Sequence, residues 1–154
     1  MNIEPLGNFP QFLPELAQLH FDEWRHLSPG TGLEQRIRKL QAMAQSADIP
    51  YVVVAAEDDK LAGSAALVES DMSTRPNLSP WLASVYVKPE FRRRGLGTRL
   101  VRRIEEEAGR RGIRKLYLFT EHARDLYAKL GWRDLETCEY QGVGVTVMFR
   151  ELPG

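Results

Sequence analysis

The sequence predicts one mixed α/β domain over residues 1–154, with a twisted, mostly antiparallel sheet of about six to seven strands flanked by about four helices. Two observations favour this class. Helix-like and strand-like segments alternate along the chain, and they are joined both by tight turns and by strand–helix–strand connections. Tight turns join antiparallel strands, whereas strand–helix–strand connections join parallel ones, so a mixed sheet is expected. A length of 154 residues with 43% hydrophobic side chains suits a single domain.

The first half of the chain predicts two helices and then a β-hairpin. Apolar residues recur at helical spacing over residues 14 to 26 and again over 32 to 45. Thr31 and Glu34 have the spacing of a capping box at the start of the second helix. The hairpin follows as strands at 51–56 and 61–69, because both segments are rich in strand-forming residues and a polar turn separates them. The first dozen residues are polar and broken by proline, and they predict no strand.

The second half predicts a strand–helix–strand unit, a further helix and a final hairpin. Its expected elements are a strand at 81–87, a helix from about Thr98 to Gly109, a strand at 116–119, a helix capped at Thr120-Glu121 and ended by Gly131, and strands at 132–140 and 143–152. Gln141-Gly142 suits the tight turn of the last hairpin.

The charge of the chain is balanced overall but not along its length. The formal net charge is zero, yet residues 88 to 115 hold eleven Lys and Arg against four Glu. This segment predicts a local anionic partner. Nucleic acid is a weaker alternative, because zero net charge gives little long-range attraction and no aromatic residues alternate with these arginines.

A glycine-containing turn between a strand and a helix lies in this basic segment. The predicted strand ends at Val87, Gly95 and Gly97 follow, and a helix begins near Thr98. The first N–H groups of a helix lack intrahelical acceptors and bind anions, and glycine lets an anion approach the backbone closely. Two nucleotide motifs are excluded: Gly-x-Gly-x-x-Gly fails because residue 100 is Leu, and no Gly-Lys-Ser/Thr of a Walker motif follows.

Three segments together resemble the GNAT superfamily of N-acetyltransferases. Arg92-x-x-Gly95-x-Gly97 matches the Gln/Arg-x-x-Gly-x-Gly/Ala signature of that family, the approach at 85–91 looks like its preceding strand, and 126–132 looks like its Tyr-x-x-Leu-Gly-aromatic segment. The resemblance covers residues 82 to 132 by motif and 52 to 150 by order of elements. It implies the acyl-CoA N-acyltransferase-like fold, acetyl-CoA as donor and an amine as acceptor. No metal is expected, because the His residues show no metal-ligand spacing with Cys or carboxylates.

The resemblance also implies which residues bind the donor. The backbone of 92 to 98 is expected to hold the pyrophosphate of CoA, and Val85 and Val87 are expected to pair with the pantetheine arm. The implied cofactor-binding residues are Val85, Tyr86, Val87, Arg92, Arg93, Arg94, Gly95, Leu96, Gly97, Thr98 and Thr120. For Thr120, helix capping is an equally good explanation.

The implied chemistry is direct attack of a neutral amine on the thioester, with Tyr127 as the general acid for the departing thiolate. The alternative for Tyr127 is a ring packed in the core with its hydroxyl bonded elsewhere. Relatives often carry a carboxylate as base before the central strand, where this chain has apolar residues and Ser84. The base therefore stays unassigned, and its polar candidates are Glu69, Asp71, Glu121 and His122.

The acceptor is expected between the first two helices, the loop from Glu69 to Pro80 and the last hairpin. Trp24, Trp81 and Tyr140 are candidates for its pocket, although scattered aromatic residues more often belong to a core.

Several further expectations concern other classes of site and partner. A non-catalytic CoA-binding module is the alternative function. The lone Cys138 is expected to be a small apolar filler, and the three His residues show no metal-ligand spacing. We also expect a cytoplasmic protein with no membrane or nucleic-acid partner, and the sequence is compatible with a homodimer.

Overall fold

The computed structural model describes residues 1–153, which form a seven-stranded sheet with four α-helices. The strands are β1 (Asn2–Pro5), β2 (Tyr51–Glu57), β3 (Lys60–Val68), β4 (Trp81–Val87), β5 (Lys115–Thr120), β6 (Arg133–Tyr140) and β7 (Val143–Glu151). The helices are α1 (Leu13–Trp24), α2 (Leu33–Ala44), α3 (Leu96–Arg110) and α4 (Arg124–Lys129). Short 3-10 turns precede α1, follow it, and lie between β4 and α3.

The sheet confirms the predicted fold class. Its order is β1-β2-β3-β4-β5-β7-β6, and every neighbouring pair is antiparallel except β4 and β5. That one parallel pair is joined through α3, as the strand–helix–strand pattern predicts. The final hairpin turns at Gln141 and Gly142, which both have positive φ, as a two-residue hairpin turn requires.

One strand was missed and three helix starts were predicted wrongly, among them that of α3, which begins at Leu96 after a Gly95 cap and not near Thr98. β1 lies in the proline-broken opening segment and is tolerated because it is an edge strand, paired only with β2. The second helix is capped at Gly32 and not at Thr31: the Oε1 atom of Gln35 accepts from the Gly32 N–H at 2.9 Å. The last helix begins at Arg124, and Thr120 instead accepts from the Ala123 N–H at 2.9 Å before it starts.

Helices cover both faces of the sheet, which gives three layers. In β2, Val53 packs toward α3 with Leu100 and Ile104, whereas Val52 packs toward α1 and α2 with Leu16. Successive side chains of a strand point to opposite faces, so a strand covered on both faces is apolar at every position. This explains why 51–56 is a continuous apolar run and not an alternating one.

Candidate active site

The sheet opens between β4 and β5, its only parallel neighbours among residues 1–153. They pair only at Trp81 and Tyr117, and the Tyr117 N–H donates to the carbonyl of Pro80 at 3.1 Å. Beyond this point the strands separate. The edge of β4 that faces β5 therefore has no strand partner over its second half, and such an edge offers backbone groups to an extended ligand.

A β-bulge lies in the same part of β4. Ala66 of β3 pairs with Ala83, and Ser64 pairs with Tyr86, so β4 uses one more residue than β3 over this interval. Ser84 lies in the bulge with a φ of 56°. This places a positive-φ, non-glycine residue at the point where the two strands diverge.

A buried side-chain network holds the bulge from the side of α1. The Ser64 hydroxyl donates to the Ser84 carbonyl at 2.8 Å, and the His20 Nε2 lies 2.9 Å from the same hydroxyl oxygen. Because the single hydroxyl proton of Ser64 is used on Ser84, His20 must donate through Nε2–H. Burial, and to a lesser degree the charge of Arg36, lowers the pKa of His20 to about 3. The imidazole is therefore neutral near pH 7, as this network requires.

The glycine-containing turn leads from the open edge of β4 into α3. Gly95 caps the helix with a φ of 76°, and Arg93 has a φ of 66°. The first helical hydrogen bond runs from the Arg99 N–H to the Gly95 carbonyl at 3.1 Å, so the N–H groups before it have no intrahelical acceptor. A Cβ on Gly95 would meet no heavy atom within 4 Å, which leaves open space in front of these donors. The turn fits an anionic group such as a phosphate.

The three arginines before this turn are exposed and make different contacts. Arg92 donates through Nε to the Val87 carbonyl at 2.9 Å, and its guanidinium lies 5.9 Å from the ring centre of Tyr86. Arg94 lies 3.4 Å from a carboxylate oxygen of Glu57. Arg93 forms no salt bridge with the described residues, 1–153, so its charge is available to a ligand.

A cleft of about 1040 Å³ runs from the opening between β4 and β5 to α1 and α2. Tyr127 and Thr120 line it on the side of β5 and α4, together with Val85 of β4. The Tyr127 ring is buried and packs edge-on against Trp132 at 6.2 Å between ring centres. Burial raises the pKa of Tyr127 to about 12, so the hydroxyl keeps its proton near neutral pH. The ring of Tyr127 therefore packs in the core, and Tyr127 also lines the cleft.

The structure brings the polar candidates for a base into this cleft. Glu69, Asp71, Glu121 and His122 all line it. Glu121 is already engaged, because one of its carboxylate oxygens contacts Nε2 of His26 and the other lies 3.3 Å from Nε2 of His122. Burial raises the pKa of Asp71 to about 6, against the opposing charges of Lys39 and Arg36.

Of the aromatic candidates, two line the cleft and one does not. Trp24 and Tyr140 line it, whereas Trp81 is fully buried and donates through its indole N–H to the Leu78 carbonyl at 2.6 Å. Trp81 therefore belongs to the core under the cleft. Cys138 lies in β6, partly buried against the apolar cluster that contains Trp81, as expected of a small apolar side chain that fills space in a core.

Sequence reasoning named Trp24 but missed the ionisable side chains that α1 and α2 contribute to the cleft, namely Glu23, His20, Arg36 and Lys39. For His20 a signal was available, since it follows Leu16 by four residues and so shares its buried helical face. For Arg36 and Lys39 none was, because charged residues on a helix usually face solvent.

Within residues 1–153, no group of three or more His, Cys, Asp or Glu side chains is arranged to hold a metal ion. In the same part of the chain, no helix is both long and apolar enough to cross a membrane.

An open strand edge with a bulge, followed by a glycine turn at a helix N-terminus, defines a protein that binds an extended phosphorylated cofactor beside a cleft. A model of the acetyltransferase (GNAT) family matches residues 13–132. The chain belongs to this family, which confirms the resemblance seen in the sequence.

Similar proteins carry acetyltransferase names. Thialysine N-epsilon-acetyltransferase of Bos taurus is 35% identical over 71 residues, which is 44% of this chain and 42% of that protein, so the match spans less than half of that relative. An aminoglycoside 6'-N-acetyltransferase complexed with coenzyme A has the same fold, with a TM-score of 0.79, 19% identity, and coverage of 100% of this chain and 98% of that one. A ribosomal-protein-alanine N-acetyltransferase from Brucella melitensis gives 0.75 and 21%, with coverage of 99% and 100%.

Proposed function

We propose that this protein is an N-acetyltransferase that transfers the acetyl group of acetyl-CoA to a primary amine by direct attack. The observation that carries the proposal is the continuity of the unpartnered edge of β4 with the glycine turn at the start of α3. The edge of β4 suits the amide-containing pantetheine arm of CoA, and the glycine turn suits its pyrophosphate. Together they match the two chemical parts of CoA in their order along the molecule.

The donor side is assigned mainly to backbone groups. The N–H groups of Gly95 to Thr98 face the pyrophosphate, and Arg93 adds a charge that no described residue neutralises. Val85 pairs with the arm through its main chain beyond the bulge. The Val87 carbonyl already accepts from Arg92, so a ligand would share that oxygen with the guanidinium.

Bound acetyl-CoA supplies a thioester carbonyl and a thiolate leaving group. The chain supplies the proton: Tyr127 is protonated near neutral pH because burial raises its pKa to about 12, and it lines the cleft together with Val85 of β4. We assign Tyr127 as the general acid that donates to the departing sulfur, and the proton that the amine loses on forming the amide restores the phenol. No residue is assigned as base, and no acyl-enzyme is needed.

The family does not determine the acceptor. Relatives and structural neighbours are named for thialysine, for aminoglycosides and for the alanine of a ribosomal protein. We place the acceptor in the part of the cleft between α1, α2, the β3–β4 loop and the last hairpin, since this part leads directly to the bulge.

Release of CoA thiol from acetyl-CoA across a panel of amines, polyamines, aminoglycosides and peptide N-termini tests the proposal, with mass spectrometry to identify the acetylated product. We expect turnover with at least one class of amine. Binding of acetyl-CoA by calorimetry without any CoA release would instead favour the alternative of a non-catalytic CoA-binding module.

Three expectations about the whole protein stay predictions. A cytoplasmic location is tested by fractionation, the homodimer by light scattering, and the absence of nucleic-acid binding by a gel-shift experiment in low salt, where an electrostatic complex would be strongest.

A further inference from the structure

The helix that carries Tyr127 is short and is held by contacts beyond its own hydrogen bonds. α4 has six residues, and isolated helices of fewer than about 12 residues are unstable in water. The helix ends in a Schellman motif, in which the Trp132 N–H donates to the Tyr127 carbonyl at 3.0 Å and the Gly131 N–H donates to the Ala128 carbonyl at 3.1 Å. Gly131 has the positive φ, 100°, that the motif needs. The backbone of Tyr127 is therefore tied to the segment that follows α4.

A buried carboxylate on α3 holds this segment from the side away from the cleft. Glu105 is buried and does not line the cleft. One of its oxygens accepts from the Trp132 indole N–H at 3.0 Å, and the other accepts from Nη1 of Arg102 at 2.8 Å. The Trp132 ring is also buried, and it is the ring against which Tyr127 packs edge-on. Glu105 therefore fixes the orientation of the ring that supports Tyr127.

Arg150 of β7 joins the same carboxylate to the end of α4. Its Nε lies 3.5 Å from the Glu105 oxygen that Arg102 contacts, and its Nη1 donates to the Leu130 carbonyl at 2.9 Å. A Cβ on Gly131 would collide with this Nη1, so the guanidinium occupies the space directly beside the turn. Elements from three parts of the chain, α3, β7 and the end of α4, thus meet at one carboxylate behind Tyr127.

We propose that Glu105 and Arg150 are positioning residues, which hold the Tyr127 hydroxyl where it donates its proton to the departing sulfur. This inference rests on the proposed function, in which Tyr127 is the general acid. Neither positioning residue lines the cleft. Both act through the Trp132 ring and through the end of α4. Proton transfer needs the acid within hydrogen-bond distance of the sulfur, so a displacement of about 1 Å is enough to slow the reaction.

The kinetics of Glu105→Ala test the inference, with acetyl-CoA and an amine that the wild-type protein acetylates. We expect kcat to fall at least about tenfold and the KM for acetyl-CoA to change less than about twofold, because the acid is displaced while the donor site is intact. Glu107→Ala is the matched control, since Glu107 is equally buried on the same helix but pairs with Arg110. An unchanged kcat in Glu105→Ala, or an equal fall in both variants, overturns the inference, while turnover by the wild type upholds the proposed function.

Two variants of similar side-chain volume serve where Glu105→Ala lowers Tm strongly. Glu105→Gln has one acceptor oxygen and one donor group, so it satisfies either the Trp132 N–H or the arginines but not both. Arg150→Met removes the donor to the Leu130 carbonyl and the cation beside Glu105. We expect each to lower kcat less than Glu105→Ala does, again with little change in the KM for acetyl-CoA. Wild-type kcat in both variants overturns the inference.

The Tyr127→Phe background distinguishes the positioning of this residue from a general loosening of the fold. Adding Glu105→Ala to Tyr127→Phe should leave kcat within about twofold of that of Tyr127→Phe alone, because no acid remains to be displaced. The substitution should nevertheless lower Tm in both backgrounds. Losses of kcat that multiply would mean that Glu105 acts on other groups, and they overturn the inference.

Fluorine NMR of protein labelled with 3-fluorotyrosine gives a readout that does not depend on turnover. The chain has five tyrosines, and the Tyr127 resonance is the one that is absent from Tyr127→Phe. We expect Glu105→Ala and Arg150→Met to shift or broaden this resonance, whereas Glu107→Ala should leave it in place. Such a change supports the inference even where no amine is acetylated and the proposed function fails. A Tyr127 resonance that does not change in Glu105→Ala overturns it.

Discussion

The two halves of the cleft that we assign to the donor and to the acceptor present different kinds of group to a ligand. The donor half, formed by β4, the turn before α3 and the first turn of that helix, presents backbone N–H and C=O groups. The acceptor half, formed by α1, α2 and the β3–β4 loop, presents charged side chains from three separate elements. A site made of backbone needs a particular local conformation, whereas a site made of side chains needs a particular tertiary arrangement.

The two halves also differ in how they deviate from an unstrained structure. The donor half holds positive φ values at Ser84, Arg93 and Gly95. The acceptor half holds charges without partners and a carboxyl whose pKa is raised by burial. Each deviation is a free-energy cost of the kind that functional sites retain. Substitutions in each half test whether each cost belongs to the function assigned to that half.

Gly95→Val should have the largest effect, and on the donor half alone. A Cβ there meets no protein atom within 4 Å, so the fold loses only the cost of positive φ, about 1–2 kcal/mol. The branched side chain would, however, fill the space assigned to the pyrophosphate. We expect the affinity for acetyl-CoA to fall at least about 100-fold by calorimetry, which corresponds to about 3 kcal/mol.

Gly112→Val is its matched control. Gly112 has a φ of 78° and equally open surroundings, and it follows the other end of α3. It should therefore share the loss of Tm but keep the affinity for acetyl-CoA. Similar affinities in the two variants would show that the turn at Gly95 does not bind the donor.

Tyr127→Phe should have the next largest effect, at the boundary between the halves. Removal of the proposed acid should lower kcat about 100-fold and leave the KM for acetyl-CoA nearly unchanged, since general acid catalysis contributes at least about that much. Tyr51→Phe removes a hydroxyl that accepts from Arg103 away from the cleft, and it should leave kcat unaltered. A purely structural Tyr127 would instead show equal changes in kcat for both variants.

The comparison also explains what the sequence was able to predict. The donor turn is contiguous in the chain, so Arg92, Gly95 and Gly97 were recognisable by spacing. The bulge at Ser84 and the early separation of β4 from β5 were not, because a serine inside a strand pattern carries no mark of positive φ. Both the bulge and the separation of the two strands depend on how strands that are far apart in the sequence pair with one another. The family resemblance implied the residues that bind there but gave no reason for the shape.

The acceptor half was predicted only as a location. The first two helices, the loop after Glu69 and the last hairpin, which were expected to surround the acceptor, do line the cleft, yet Arg36 and His20 were not among the candidates. The amphipathic pattern of a helix distinguishes an apolar face from a polar one. It does not show that a polar residue at the edge of the apolar face points into a cleft. Whether such a residue points into a cleft depends on the angle at which the helix packs on the sheet, and the sequence does not give this angle.

Ser64→Ala tests whether the bulge depends on its side-chain support from α1. The substitution leaves the His20 N–H and the Ser84 carbonyl without their buried partner, at a cost of about 2 kcal/mol in the free energy of unfolding. Because the bulge directs the open edge of β4, KM for acetyl-CoA should also rise. Ser64→Cys fills the same space with a weaker donor and should fall between wild type and Ser64→Ala. Identical stability of all three would show that the network does not hold the bulge.

Asp71→Asn should have the smallest effect, and only in one range of pH. Burial raises the pKa of Asp71 to about 6 in the folded state, above its ordinary value of 3.8. The folded protein therefore holds this proton more tightly than the unfolded chain does. The favourable contribution is complete below about pH 4 and is lost as pH rises through about 6. At pH 7.5 we expect Asp71→Asn to be more stable than wild type, with the difference closing toward pH 4 in thermal unfolding. Asp134→Asn is the opposite control, because the hydrogen bond from Arg124 lowers the pKa of that carboxyl, so its removal should destabilise the protein at neutral pH. If the difference in Tm between wild type and Asp71→Asn stays constant from pH 4 to 8, then ionised Asp71 does not destabilise the folded protein.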